Sequence, residues 1–476
     1  MTKLLPAWID DELATLNLGD ERLDQRQKRV LHRRADQPSL SIPAACGGRV
    51  ETQAAYRFFA HPAATEQTVL APHVDATTRR IAEHPVVLVP QDTTELDFTR
   101  PVERVRGAGP LNWEERIGFF QHVELAITPE RRPLGVVGVT TWGRDPREHR
   151  QNGRRKRKPI EDKESDRWLQ GYRHACALAA RVPETRIVSI SDREGDIFEC
   201  FVEGQPDPAR RKADWIIRAC QDRSLTHRPD EATVWDKLWE TVEATPALGT
   251  LQVQLPRTGQ TKARVATLTV RSTAVELKPP YRVGRKLTPV TVHAVLVREK
   301  DAPAGVEPIE WLLLTSLEAA TFAEACTVVR YSTCRWQVEV FFRVYTSGCR
   351  VERLQRDGAD RLRPCLALYL IVSWRVLWLT MLGRECPELA CDVMFTESEW
   401  KSVWMVVHQR PAPAMPPSVR EIIALVACLG GYLGRSKDGP PGAQSQGVGL
   451  RRMAALAAAW ETFGPDPPKQ VPICHA

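Results

Sequence analysis

Two short apolar runs, Val86-Val87-Leu88-Val89 and Arg186-Ile187-Val188-Ser189-Ile190, are each followed within three residues by an aspartate, Asp92 and Asp192. Apolar runs this short and this rich in β-branched residues read as buried strands rather than helices. Between them, Phe119 to Ile127 and Gly135 to Trp142 read as two more strands with a turn at Pro129 to Pro133, and Trp168 to Arg181 reads as a helix. The order strand, strand, strand, helix, strand belongs to a mixed α/β domain. In such a domain the carboxyl ends of parallel strands line the crevice where ligands bind. Both aspartates fall at such ends.

The rest of the chain is organised around this segment. Up to about residue 60 the pattern is helical and basic, with Arg22, Arg26, Lys28, Arg29, Arg33 and Arg34 in one short stretch and Tyr56-Arg57-Phe58-Phe59 in a second helical piece. The cluster reads either as a solvated helix face or as a phosphate-contacting DNA module. A basic loop with Arg154 and Arg155 precedes the Trp168 helix. From about 205 to 318 the sequence is strand-rich (Trp215 to Arg218, Thr250 to Leu255, Val265 to Arg271, Val290 to Val297, Trp311 to Thr315) and looks like a β insertion. From about 320 it is mostly helical, with Ser418 to Leu429 and Leu450 to Phe463 as apolar helices and Gly439 to Gly449 as a loop.

Composition excludes some classes. With 43% hydrophobic and 26% charged residues the chain has the balance of a soluble globular protein. The net charge of +7 is too small for its length to identify a polyanion partner by itself. The 12 cysteines show neither C-x-x-C pairs nor zinc spacing, as expected of a reduced, intracellular protein. Asp10, Asp11 and Glu12 do not suit a signal peptide. The apolar stretch Cys365 to Leu382 is interrupted by Arg375 and reads as a buried core helix, so no membrane partner is expected.

A third acid completes a candidate site. In a helix expected from about Ala325 to Arg350, Tyr331, Arg335, Glu339 and Arg343 recur every four residues and form one polar stripe amid apolar neighbours. A buried charged stripe must be paired or bound to a cation. Two readings stand: an internal Arg335–Glu339–Arg343 ladder, or Glu339 facing the two aspartates while the arginines hold phosphates. Around the second aspartate, Asp192-Arg193-Glu194-Gly195-Asp196 offers several competing carboxylates. Three carboxylates suffice to hold two hard cations and leave positions open for a DNA phosphate.

The chain resembles the DDE transposases of the bacterial IS-four family, most closely the transposon-five type. The resemblance runs nearly end to end, through Leu18-Gly19-Asp20, Ala55-Tyr56-Arg57-Phe58, Asp92-Thr93-Thr94, Lys163-Glu164-Ser165 with Trp168-Leu169, Asp192-Arg193-Glu194, Trp311 to Ser316, Arg335-Trp336 with Glu339, and Leu429-Gly430-Gly431. It implies an RNase H-like core (69–385) with a β-strand-rich insertion at about 205–318. Flanking this core it implies an N-terminal helical DNA-end-binding domain (1–68) and a C-terminal helical dimerisation region (386–476). By position Asp92, Asp192 and Glu339 match the catalytic, metal-binding acids, with two Mg²⁺ ions that Mn²⁺ could replace. Trp311 matches a tryptophan that holds a flipped base. Tyr331, Arg335, Arg343, Arg22, Arg26, Arg29, Arg57, Arg154 and Arg155 are the expected DNA contacts.

The implied activity is cut-and-paste transposition by a homodimer on transposon-end and target DNA, cutting the ends through a hairpin and joining the 3′-hydroxyls to target DNA, in the bacterial cytoplasm at the nucleoid. The family signature around the glutamate departs here twice: Ser332 takes the tyrosine slot, with Tyr331 displaced by one, and Thr346 replaces a lysine. The lost cation leaves open a catalytically impaired regulator that still binds ends or dimerises. A stand-alone metal-dependent nuclease is a further alternative. A phosphatase using Asp92 is disfavoured because Thr93-Thr94-Glu95 has no aspartate two positions on.

Overall fold

The computed structural model describes residues 7–463, apart from 37, 39–41, 47, 101–104, 114, 147–158, 208, 227–235, 256–263, 283–284, 304, 356–357, 386 and 436–440. Arg154 and Arg155 lie outside the described residues. Five helices open the chain: α1 (Ala7–Glu12), α2 (Glu21–Asp36), α3 (Ile42–Cys46), α4 (Arg49–Phe59) and α5 (Glu66–Ile81). Then come strands β1 (Val86–Asp97), β2 (Gly109–Pro110), β3 (Ile117–Ile127) and β4 (Pro133–Trp142), helix α6 (Asp166–Arg181), strand β5 (Arg186–Ser191), helix α7 (Phe198–Glu203) and strand β6 (Asp214–Arg218). The strand-rich segment supplies α8 (Leu238–Ala244), β7 (Gly249–Leu255), β8 (Arg264–Leu277), β9 (Val290–Lys300) and β10 (Glu310–Thr315). The remainder is helical: α9 (Phe322–Thr333), α10 (Trp336–Arg343), α11 (Ala359–Glu385), α12 (Glu397–His408), α13 (Val419–Leu429) and α14 (Ala443–Phe463).

All ten strands form one mixed sheet in the order β2-β3-β1-β5-β6-β10-β9-β8-β7, with β4 on β3. Its centre is parallel: β1 pairs with β5 from Val86↔Arg186 to Pro90↔Ile190, and β5 pairs with β6. The remaining ladders are antiparallel, including β6 with β10 and β10 with β9. The strands of the insertion therefore extend the central sheet through a hydrogen-bonded ladder.

Side-chain alternation divides the buried residues between two cores. Val87 and Val89, with Ile187, Ile217, Leu312 and Leu314, belong to a core on the α6 face. Leu88, Val188, Ile190, Ile216 and Leu313 belong to a larger core on the opposite face with α9, α10 and α11. Each fully buried aliphatic side chain contributes about 1.5–3 kcal/mol of hydrophobic stabilisation. By the same parity Asp92, Asp192 and Trp311 belong to the α10 face, whereas Gln91 and Thr93 belong to the α6 face.

Helix α11 is the one described helix long and apolar enough to cross a membrane, and 78% of its most apolar window is buried within the molecule. The Arg375 that interrupts its apolar run packs 4.8 Å from the Trp8 ring and 4.9 Å from the Trp378 ring. The C-terminal loop expected at Gly439 to Gly449 is helical from Ala443. Gly449 lets α14 press on α13, since a Cβ there would stand 1.8 Å from the Val426 carbonyl oxygen.

Candidate active site

Strand β1 is longer than the apolar run that announces it, because its second half remains paired with β3 through Asp97↔Gly118. Asp92 thus sits inside a strand, two residues past the last pair with β5 at Pro90. Asp192 stands two residues past Ile190, the partner of Pro90, so the two aspartates occupy equivalent positions on neighbouring parallel strands. Such neighbours run about 4.8 Å apart. Asp192 also caps the 3-10 turn Arg193–Gly195, its Oδ1 accepting from the Glu194 backbone N–H at 2.8 Å.

The expected single helix over 325–350 is broken. Between α9 and α10 the backbone bonds tighten to three-residue spacing: Cys334 N–H donates to the Tyr331 carbonyl, Arg335 to Ser332, Gln337 to Cys334 and Val338 to Arg335. This local 3-10 turn rotates the stripe. Tyr331, on the α9 side, is 9% exposed and packs against the hydrophobic core. A π-helical segment, Val344–Gly348, follows α10. There the Thr346 hydroxyl donates to the Phe342 carbonyl at 2.9 Å.

Arg335 joins two of the three acids. Its Nη1 donates to Asp92 Oδ2 at 2.6 Å and its Nη2 to Glu339 Oε1 at 2.7 Å. The salt-bridge ladder therefore exists only in its first half, and it reaches out to β1. Arg343 is exposed and makes no ion pair among the described residues. Burial raises the Asp92 carboxyl to about 6; Arg335 opposes this rise, while the charges of Asp192 and Glu339 add to it. Three acids thus share one electrostatic neighbourhood, in which Arg335 pairs with Asp92 and Glu339 while Arg218 and Arg167 interact with the Asp192 charge.

The competition within Asp192 to Asp196 is resolved by their partners. Asp196 is buried, its Oδ2 accepting from the backbone N–H groups of Cys220 and Gln221 at 2.8 Å and its Oδ1 from Arg223. Glu194 pairs with Arg167. Asp192 accepts through Oδ1 from the Glu194 backbone N–H, and among the described residues its second carboxylate oxygen has no protein donor.

Behind Asp92, the α6 face carries a closed polar chain that the sequence reading did not single out. Arg167 Nε donates to Thr93 Oγ1 at 2.9 Å, and Thr93 Oγ1 lies 2.9 Å from His122 Nδ1. His122 Nε2 lies 2.9 Å from Gln91 Oε1, and Gln91 Nε2 donates to Ser189 Oγ at 3.1 Å. The Gln91 amide oxygen can only accept, so His122 Nε2–H donates to it, and Nδ1 of the neutral ring accepts from the Thr93 hydroxyl. Burial, and then the Arg167 charge, push the His122 pKa well below its ordinary value. A neutral ring is what the chain requires.

The other expected contacts divide. Arg22, Arg29 and Arg57 are exposed. Arg26 and Arg33 both pair with Glu51, Lys28 with Asp10, and buried Arg34 donates to the Tyr369 hydroxyl at 2.6 Å. Much of the basic cluster holds its own domain together. Trp311 is half-buried on β10 opposite Val297. Trp336, quoted with Arg335 in the family resemblance but not among the expected DNA contacts, is 60% exposed.

The donor set suits a hard cation: all-oxygen ligands, an excess of negative charge and a guanidinium bridging two of the acids. Among the described residues no three His, Cys, Asp or Glu side chains close on one another as a finished cage. In this arrangement Asp92 and Glu339 are gathered around Arg335.

Comparison with known proteins meets this geometry from both ends of the chain. Residues 6–64 match the family model described as Transposase DNA-binding, and residues 371–461 match the Transposase Tn5 dimerisation domain. A solved structure of the piggyBac transposase synaptic complex with hairpin DNA aligns over 98% of this chain and 84% of that one, at 10% identity and a TM-score of 0.35. That likeness is too slight to bear on fold or function. The DNA-binding and dimerisation matches flank the sheet that carries the acids, and together with the family resemblance seen in the sequence they support a Tn5-type transposase.

Proposed function

We propose that the sheet is an RNase H-like catalytic core and that Asp92, Asp192 and Glu339 are its catalytic acids, cutting transposon ends and joining them to target DNA. The observation that carries this reading is the shared Arg335 guanidinium between Asp92 and Glu339, with Asp192 close enough to raise the Asp92 pKa. Two Mg²⁺ ions, or Mn²⁺ in their place, would activate the attacking oxygen and stabilise the leaving one. Asp92, Asp192 and Glu339 would hold them. Arg335 would then turn from the acids to the scissile phosphate, and exposed Arg343 would carry the cationic role of the absent lysine. Trp311, on the same sheet face, would stack a base extruded during hairpin formation. Arg22, Arg29 and Arg57 would contact end DNA, and the C-terminal helices would pair two copies inside the cell.

Incubating the protein with its element's end DNA and Mg²⁺ tests this. Wild type should give nicked or hairpin products, absent with Asp92→Ala and with Glu339→Ala. Undiminished cleavage by Glu339→Ala would remove that residue from the site. A second reading, an end-binding regulator without cutting activity, is favoured by the inward hydrogen bond of Thr346. Retained end binding with no cleavage at any Mg²⁺ concentration would establish it.

A further inference from the structure

Asp92 and Asp192 stand on separate strands, past the last hydrogen-bonded pair between those strands at Pro90↔Ile190. No backbone ladder therefore fixes their separation. What spans the gap is a side chain on the opposite face. Arg167, the second residue of α6, donates through Nε to Thr93 and through Nη2 to Glu194, while its Nη1 donates to the Glu164 carbonyl at 2.8 Å. Thr93 adjoins Asp92 and Glu194 lies two residues after Asp192. The guanidinium is also flanked by the rings of Trp142 and Trp168, each 5.5 Å from its centre.

We infer that Arg167 is a positioning residue that sets the distance between the Asp92 and Asp192 carboxylates through Thr93 and Glu194. The inference rests on the proposed function of that site. Its logic is steric and directional. Gln91 and Thr93, the neighbours of Asp92 on each side, are both tied to His122, and Gln91 is tied also to Ser189 on β5. Asp92 therefore projects from a backbone held on its far side at two points. On the other strand, the Asp192 turn is held by Glu194. The planar guanidinium fork of Arg167 reaches both with fixed angles. Helix α6 is seated against this chain so closely that a Cβ on Gly171 would stand 2.2 Å from Gln91 Oε1.

A residue that orients ligands rather than binding the ion should shift ion affinity by about 10-fold to 100-fold on removal. Arg167→Gln, Glu194→Gln and the double variant are compared with wild type and Asp92→Ala. Mn²⁺ binding is read by electron paramagnetic resonance, end binding is measured in EDTA, and end cleavage is followed as a function of Mn²⁺ concentration. Each single variant should raise the Mn²⁺ concentration for half-saturation about 10-fold. End binding should be unchanged, excess Mn²⁺ should restore cleavage, and the double variant should add nothing further. Arg167→Lys, able to serve Thr93 or Glu194 but not both, should fall between.

A wild-type Mn²⁺ titration in Arg167→Gln would overturn the inference. So would a loss that excess Mn²⁺ does not restore and that follows a fall in melting temperature. Should Arg167→Gln not fold, Glu194→Gln decides alone, because that carboxylate is 63% exposed and its removal leaves the core intact. If wild type neither binds Mn²⁺ nor cleaves ends, the proposed function itself fails. If wild type does both and the two variants match it, only the positioning role fails.

Discussion

Two carboxylates in this molecule begin from the same ingredients, burial and an arginine, and end in opposite states. Glu12 of α1 is 3% exposed; burial pushes its carboxyl up, but His73 and Arg80 outweigh that and hold it at about 2. Arg80 donates to both oxygens, at 2.9 and 3.1 Å, and His73 Nδ1 to one of them. The far nitrogen of His73 accepts from the Val136 backbone N–H, which fixes the tautomer. Asp92 has a comparable arginine contact but two neighbouring acids, and it stays near 6. The first charge is satisfied and fastens the N-terminal helices to the core. The second is not offset: burial outweighs Arg335, and the charges of Asp192 and Glu339 add to the rise.

The largest expected effect that separates the two is in function. Asp92→Ala should reduce end cleavage at least about 1,000-fold, on the order of 4 kcal/mol, with no fall in denaturation midpoint; a midpoint that drops would make Asp92 structural. Glu12→Ala should behave inversely. Removing one partner of a buried ion pair costs about 3–5 kcal/mol, read as a lower urea midpoint at constant slope, while the folded fraction still cleaves. Equal stability of Glu12→Ala and wild type would undo the comparison.

Acid titration sharpens it by sign. The Glu12 pKa is depressed, so its stabilisation is present above 4.5 and is lost as pH falls toward 2. The Asp92 pKa is raised, so its contribution is complete below 3.8 and is lost as pH rises through about 6. Unfolding curves of Glu12→Gln should flatten in the first window and those of Asp92→Asn in the second; the reverse assignment would refute both. The smallest effect is at Thr346→Lys. One exposed cation should tighten end binding by about 0.2–1 kcal/mol, and no change in affinity or cleavage would show that Arg343 already fills the role.

How much of this could be read beforehand depended on the distance over which each feature is decided. The strands carrying Asp92 and Asp192 follow from local apolar runs, and their parallel pairing from the helix between them. The length of β1 was not legible, since the polar residues Gln91 to Glu95 hold strand geometry only through β3. The break at Cys334-Arg335 has no Gly or Pro to announce it; it is visible only as a change of hydrogen-bond spacing. Choosing Asp192 over Asp196 required knowing that Cys220, Gln221 and Arg223 fold back onto the latter. Gly447 and Gly449 suggested a loop because sequence cannot display the neighbouring helix that makes small residues necessary.

The unbroken ladder from β5 through β6 to β10 has a mechanical corollary. Asp192 and Trp311 sit on strands of one stiff slab, so the part of the molecule bearing the tryptophan has no pivot about which to swing over a bound duplex. Under the proposed stacking of an extruded base on Trp311, the distortion would be borne by the nucleic acid. Sequences that unstack readily near the cut would accordingly be processed faster, without a single additional contact from the protein.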